Sequence, residues 1–187
     1  SHADLGGLSP HLGAHHTRAR LASVYVEPRL ADLNHPDSAV SLPDLILGGP
    51  AVIVAGPGAG KSTLLRRAAR RLVDGSDPSL PRLTPILVRA PLYGAALAQD
   101  RGLSLRRYIG TRLSDRFGPL LLADLDAGSA VLLIDALDEI EDEESRARVT
   151  EAVGVFALEY AETTILATTR PVGFRPAGSM ASFRRLS

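Results

Sequence analysis

Two kinds of hydrophobic pattern alternate along the chain. Short, uninterrupted apolar runs predict strands that are buried on both faces, and apolar residues three and four positions apart predict amphipathic helices. The predicted strands are 51–55, 85–90, 130–134 and 163–168, and the predicted helices are 38–47, 60–73, 104–117 and 141–160. Because strands and helices alternate, we expect an α/β fold in which helices cover both faces of a parallel sheet.

The N-terminal stretch lacks a clear period. Residues 1–22 are rich in Gly, His and Ala, and we interpret them as a flexible lead-in to a domain that covers 23–187. His11, His15 and His16 have a spacing that suits one helix face, but no partner ligand is evident. We therefore interpret them as unliganded rather than as a metal site.

The amino-acid composition indicates which class of protein and which partners to expect. Of the 187 residues, 45% are hydrophobic and 22% are charged, as in a globular domain. Lys plus Arg and Asp plus Glu are both 21, so net charge gives no general attraction to nucleic acid or to an anionic membrane. The chain has no cysteine, which excludes disulfides and favours a reducing compartment. We expect a cytoplasmic protein with no membrane and no direct nucleic-acid partner.

A glycine-rich loop follows the first buried strand, in the sequence AVIVAGPGAGKST (51–63). Its glycines allow backbone N–H groups to approach a ligand, and the helix start adds partial positive charge, so the loop suits a polyphosphate. Lys61 can neutralise the β- and γ-phosphates, and the Ser62 hydroxyl can join a Mg²⁺ shell. This is the P-loop arrangement, although Ala55 stands where the usual pattern has its first glycine. The predicted nucleotide-binding residues are Gly56, Pro57, Gly58, Ala59, Gly60, Lys61, Ser62 and Thr63.

Acidic residues follow the third predicted strand, in VLLIDALDEI (131–140). A buried carboxylate is costly without a cation, and the ends of parallel strands face the ligand crevice. We predict that Asp135 holds Mg²⁺ together with Ser62, with a helix N-cap as the alternative role for Asp135. Asp138 or Glu139 could orient or deprotonate an attacking water, and the sequence leaves open which of them does so.

An arginine follows the fourth predicted strand, in ILATTRP (165–171). Arg170 would emerge at the same edge of the sheet as Asp135. It could contact the γ-phosphate and sense its loss. The alternative is an ordinary arginine at the end of a strand.

These segments together resemble the NACHT family of STAND ATPases (signal transduction ATPases with numerous domains). GPGAGKST is similar to the phosphate loop of that family, and TTRP is similar to its sensor segment. Ala136 occupies the position of a small residue that follows the Mg²⁺ aspartate, and Asp138 and Glu139 match the acidic pair. YVEPRL (25–30) resembles the stretch that precedes NACHT modules, which implies that Tyr25 lies near an adenine pocket.

The resemblance implies a P-loop NTPase fold of the ASCE type. This fold is a three-layer sandwich around a mostly parallel five-stranded sheet of order 5-1-4-3-2, and FRRLS (183–187) would hold its fifth strand. It also implies binding of ATP, dATP or ADP with Mg²⁺, slow hydrolysis, and a nucleotide-gated switch that controls self-association and signalling in immunity or regulation. We expect the helical, winged-helix, sensor and effector domains of the family to lie outside this stretch.

Two other functions fit the same motifs. A motor ATPase of the AAA+ type would form a ring in which an arginine of a neighbouring subunit completes the site. A non-catalytic scaffold would keep nucleotide as a structural ligand. A GTPase is disfavoured, because Asn34 is the only asparagine and it is not part of an Asn-Lys-x-Asp guanine-recognition motif.

Overall fold

A mostly parallel sheet forms the middle layer of the protein. The computed structural model describes residues 29–75, 77–113, 116–171 and 178–187. The strands are β1 (Leu30–Asp32), β2 (His35–Val40), β3 (Ala51–Val54), β4 (Thr84–Arg89), β5 (Ala130–Asp135), β6 (Thr164–Thr169) and β7 (Arg184–Leu186). The helices are α1 (Leu42–Leu47), α2 (Lys61–Asp74), α3 (Ala90–Gln99), α4 (Leu105–Tyr108), α5 (Gly118–Asp126) and α6 (Glu143–Glu159).

The sheet has seven strands in the order β2-β1-β7-β3-β6-β5-β4. The prediction of five strands is therefore wrong, and the predicted strand order does not describe the whole sheet. When β3 to β7 are renumbered 1 to 5 in chain order, these parallel strands lie in the order 5-1-4-3-2. Beyond β7 the sheet continues with β1, which is antiparallel to β7, and then with β2, which is antiparallel to β1. Sequence patterns missed these two strands because LAD and HPDSAV contain no apolar run.

Two hydrophobic cores lie on opposite faces of the sheet. Along β5, Val131 and Leu133 contribute to the core beneath α1 and α2, whereas Leu132 and Ile134 contribute to the core beneath α3, α4, α5 and α6. This division follows from the alternation of side chains along a strand. The protein is thus an α/β sandwich of three layers, as the sequence pattern predicts.

Helix α2 is the best-predicted helix. It spans Lys61–Asp74, where the sequence predicted 60–73, and it buries Leu64, Leu65, Ala68 and Leu72. It ends at Gly75, which adopts a left-handed conformation with φ of 59°. The Gly75 N–H donates to the Arg71 carbonyl oxygen.

Two predicted helices need correction. Residues 38–47 do not form one helix, because 38–40 belong to β2 and only Leu42–Leu47 is helical, beginning at the Ser41 cap. The predicted helix 104–117 stops as an α-helix at Tyr108 and continues as a π-helical turn over Ile109–Leu113. The next helix begins at Gly118, where a Cβ would lie 2.1 Å from the Gly110 carbonyl oxygen. Helix α3 was not predicted.

Helix α6 matches the predicted 141–160 helix closely and spans Glu143–Glu159. Asp142 is its N-cap, and the Ser145 backbone N–H donates to the Asp142 carboxylate. This hydrogen bond holds the pKa of Asp142 below its usual value. Across the described part of the chain, every helix is too short or too polar to cross a bilayer.

Candidate functional site

The loop between β3 and α2 bends sharply at two glycines. Gly58 and Gly60 have φ values of 74° and 80°, a left-handed conformation that side chains with a Cβ rarely adopt. A Cβ built at either glycine would meet nothing within 4 Å, so the backbone there is open on its outer side. In the described residues, Ala136 is the only non-glycine with positive φ, so Ala55 does not adopt the left-handed conformation that favours glycine.

The side chain of Lys61 folds back over this loop. Its Nζ donates to the carbonyl oxygens of Ala55 at 2.7 Å and Gly56 at 2.9 Å. The ammonium group is therefore held at the mouth of the loop by two backbone acceptors and is partly buried. Lys61 is also the only lysine of the chain, since every other basic residue among the 21 Lys and Arg is arginine.

A hydrogen bond joins the loop to the end of β5. The Ser62 hydroxyl donates to Asp135 Oδ1 at 2.8 Å. Asp135 is only 3% exposed, although it is charged and the neighbouring β5 residues are apolar. Lys61, which is predicted to bind phosphate, and Asp135, which is predicted to bind Mg²⁺, therefore both lie next to Ser62.

The end of β6 supplies a third group. The fully buried Thr168 hydroxyl donates to Asp135 Oδ1 at 2.9 Å and accepts the Ala136 N–H at 2.9 Å. Ala136 has φ of 65°, a left-handed conformation that is costly for a residue with a Cβ. The short 3₁₀ turn Leu137–Glu139 follows directly and carries the acidic pair.

Each carboxylate of the acidic pair contacts an arginine from a strand that flanks β5. Asp138 Oδ2 lies 2.8 Å from Arg170 Nε, just after β6. Glu139 Oε2 lies 3.5 Å from Arg89 Nη2, at the end of β4. Arg89 also pairs in register with Asp135 in the parallel sheet. The two arginines thus balance two negative charges at this edge of the sheet.

These groups surround a cleft of about 290 Å³. It is lined by residues 57–63 of the loop and by Asp135, Ala136, Asp138, Glu139, Thr168 and Arg170. Gly56 contributes the carbonyl group that binds Lys61. The structure thus brings together the predicted site residues, except that Tyr25 lies outside the described residues.

The chemistry of the cleft suits an anion and a hard cation together. Loop N–H groups and one ammonium favour phosphate, and hydroxyl and carboxylate oxygens are the ligands that Mg²⁺ prefers. Ser62 donates its proton to Asp135 and so keeps its lone pairs for a cation. Within the described ranges, no group of three or more His, Cys, Asp or Glu side chains is placed to hold a metal ion.

Two residues at the site were absent from the predicted set. Neither Thr168 nor Arg89 was given a role from the sequence. Both lie at the carboxyl ends of parallel strands next to β5. The rule that such strand ends line a ligand crevice would have identified them as candidates.

Comparisons with known proteins add no family to this description. No model of a protein family matches the chain, and a search of curated proteins found no match either.

Proposed function

We propose that the chain is the nucleotide-binding domain of a signalling ATPase switch, similar to the NACHT family of STAND NTPases. It would bind ATP or ADP with Mg²⁺ and hydrolyse ATP slowly, so that the bound nucleotide controls self-association of the full protein. The observation that carries the proposal is the 2.8 Å hydrogen bond between Ser62 and Asp135. It joins a glycine-rich loop, a lysine and a buried carboxylate in one cleft.

In this proposal the loop and Lys61 hold the phosphates. The Gly58 and Gly60 conformations keep the backbone open on its outer side, and Lys61 would exchange the Ala55 and Gly56 carbonyls for phosphate oxygens. Ser62 and Asp135 would hold Mg²⁺. When bound, that ion supplies charge neutralisation on the phosphate oxygens.

The remaining polar groups would act on the water and on the γ-phosphate. Asp138 or Glu139 would orient the water, since both line the cleft. Arg170 would contact the γ-phosphate from the end of β6. Positioning and charge neutralisation supply most of the acceleration in phosphoryl transfer, so these groups would support slow turnover.

One observation favours a second candidate, retention of nucleotide without hydrolysis. Asp138 and Glu139 are each paired with an arginine, so either carboxylate would have to give up or share that partner in order to orient a water. Phosphate release by the wild type, and its loss in Glu139→Gln or Asp138→Asn, would identify an ATPase. Bound nucleotide that the wild type does not hydrolyse would identify the second candidate.

The first test is calorimetric titration of the purified chain with Mg·ADP and Mg·ATP. We expect binding by the wild type and at least about 10-fold weaker binding by Lys61→Ala, because a charge-assisted contact contributes roughly 1.5–3 kcal/mol. Arg66→Ala is the matched control, since it removes one positive charge from an exposed position of the same helix. Absence of binding at millimolar nucleotide would contradict the proposal.

A further inference from the structure

Thr168 makes two hydrogen bonds that fix its hydroxyl group. Its Oγ1 accepts the Ala136 N–H and donates to Asp135 Oδ1, both at 2.9 Å. A hydroxyl has one proton, and the amide occupies its acceptor side, so the proton points to the carboxylate. The Thr168 side chain is completely buried, so water does not compete for either bond.

The same hydroxyl connects two parts of the cleft. One bond orients the carboxylate of Asp135, and the other holds the backbone at Ala136, whose φ of 65° turns the chain into Leu137–Glu139. The Ala136 carbonyl oxygen then accepts the Glu139 N–H at 3.1 Å. Thr168 thereby links the buried aspartate to the turn that carries the acidic pair.

Both hydroxyl groups that contact Asp135 use the same oxygen atom. Ser62 and Thr168 donate to Oδ1, and no other described residue forms a hydrogen bond with this carboxylate. Two donors on one oxygen hold that oxygen atom in place. They also leave Oδ2 without a protein donor among the described residues, and Asp135 is one of the residues that line the cleft.

We propose that Thr168 is a positioning residue for Mg²⁺: its hydroxyl holds the Asp135 carboxylate and the Ala136 turn in the orientation that accepts the ion. This inference rests on the proposed function. Groups that orient a metal ligand through hydrogen bonds typically change metal affinity by about 10- to 100-fold when they are removed. A role confined to stability would leave the dependence on Mg²⁺ unchanged.

The test measures ADP affinity of the purified chain over a series of Mg²⁺ concentrations and in EDTA. Thr168→Val keeps the side-chain shape and removes the hydroxyl. The Mg²⁺ midpoint is the Mg²⁺ concentration that gives half of the Mg²⁺-dependent gain in ADP affinity. In this variant the Mg²⁺ midpoint should rise about 10- to 100-fold. Its affinity in EDTA should stay within about twofold of the wild type, because Lys61 and the loop are unchanged. Thr168→Ser should restore the wild-type Mg²⁺ dependence.

Thr164→Val is the matched control. Thr164 lies on the same strand, and its hydroxyl donates to the Ile46 carbonyl oxygen at 2.8 Å, away from the cleft. This variant should lose thermal stability while it keeps the wild-type Mg²⁺ midpoint. If Thr168→Val does not fold, Thr168→Ala takes its place and is compared with Thr168→Ser.

Each outcome decides between specific conclusions. A wild-type Mg²⁺ midpoint in Thr168→Val, with only a lower melting temperature, would overturn the positioning role and leave the proposed function intact. ADP binding by the wild type that does not depend on Mg²⁺ would overturn the positioning role together with the proposed Mg²⁺ site at Ser62 and Asp135, and would leave only nucleotide binding by the loop and Lys61. Absence of ADP binding by the wild type would overturn the proposed function and this inference with it.

Discussion

The guanidinium group of Arg170 forms an ion pair with Asp138 across the ends of two neighbouring strands, with Nε and Oδ2 2.8 Å apart. The Asp138 side chain is 11% exposed, whereas that of Arg170 is 48% exposed. The carboxylate is therefore the poorly solvated partner and depends more on the pair. In the proposed function, a γ-phosphate would have to compete with Asp138 for this arginine.

Replacement of Arg170 by glutamine should weaken ATP binding more than ADP binding. Only ATP carries the phosphate that Arg170 is proposed to contact, and a charge-assisted hydrogen bond contributes roughly 1.5–3 kcal/mol. We expect the ratio of ATP to ADP affinity to fall by about 10-fold. Calorimetry with both nucleotides in Mg²⁺ measures this ratio.

Arg89→Gln is the control for that experiment. Arg89 is the last residue of a strand next to β5 and pairs with a carboxylate of the acidic pair, but it does not line the cleft. Its replacement should leave the ratio of ATP to ADP affinity unchanged. An equal fall in both variants would indicate a general charge effect and would contradict a specific contact with the γ-phosphate.

The local sequence predicts the part of the site that lies within one strand–loop–helix unit. A buried run, three glycines and Lys61-Ser62 are contiguous, so backbone preference and periodicity were sufficient to place them. The pairing of Asp138 with Arg170 could not be predicted, because partner choice among charged side chains is decided by tertiary structure. Strands β1 and β2 were missed for a related reason: backbone pairing of β1 with β7 and of β2 with β1, rather than an apolar pattern, keeps them in the sheet.

Replacement by alanine should lower the stability of the protein at Gly60, which has a left-handed conformation, but not at Gly56. Gly60 has φ of 80°, where a Cβ is strained by about 1–2 kcal/mol, and part of this cost is offset by reduced flexibility of the unfolded chain. We expect Gly60→Ala to lower the free energy of unfolding by about 1 kcal/mol. Urea unfolding without nucleotide measures this change.

Gly56→Ala provides the matched comparison. Gly56 lies in the same loop but outside the left-handed region, and a Cβ there would meet nothing within 4 Å. This variant should be as stable as the wild type or more stable by up to about 1 kcal/mol. If Gly60→Ala and Gly56→Ala have the same stability, the left-handed conformation is not what requires glycine at position 60.

Tyr93 should make the stability of the fold depend on alkaline pH. Its hydroxyl donates to the Leu103 carbonyl oxygen at 2.9 Å, and its ring packs against Tyr108 with centroids 5.0 Å apart. Burial, together with the neighbouring Tyr108, raises the pKa of Tyr93 from 10.0 to about 12. Its contribution to stability is therefore complete below pH 10 and is lost as the pH rises from 10 to about 12.

Comparison with Tyr93→Phe isolates this contribution. At neutral pH the variant should be less stable by about 1 kcal/mol, because the Leu103 carbonyl loses its donor. Between pH 10 and 12 the wild type should lose on the order of 2 kcal/mol more than the variant. The chain suits this test because it has no cysteine, one lysine and four tyrosines, so few other side chains titrate in that range. Urea unfolding at pH 8, 10 and 12 measures the free energy of unfolding of both proteins. If this free energy falls by the same amount in the wild type and in Tyr93→Phe between pH 10 and 12, ionisation of Tyr93 does not destabilise the fold.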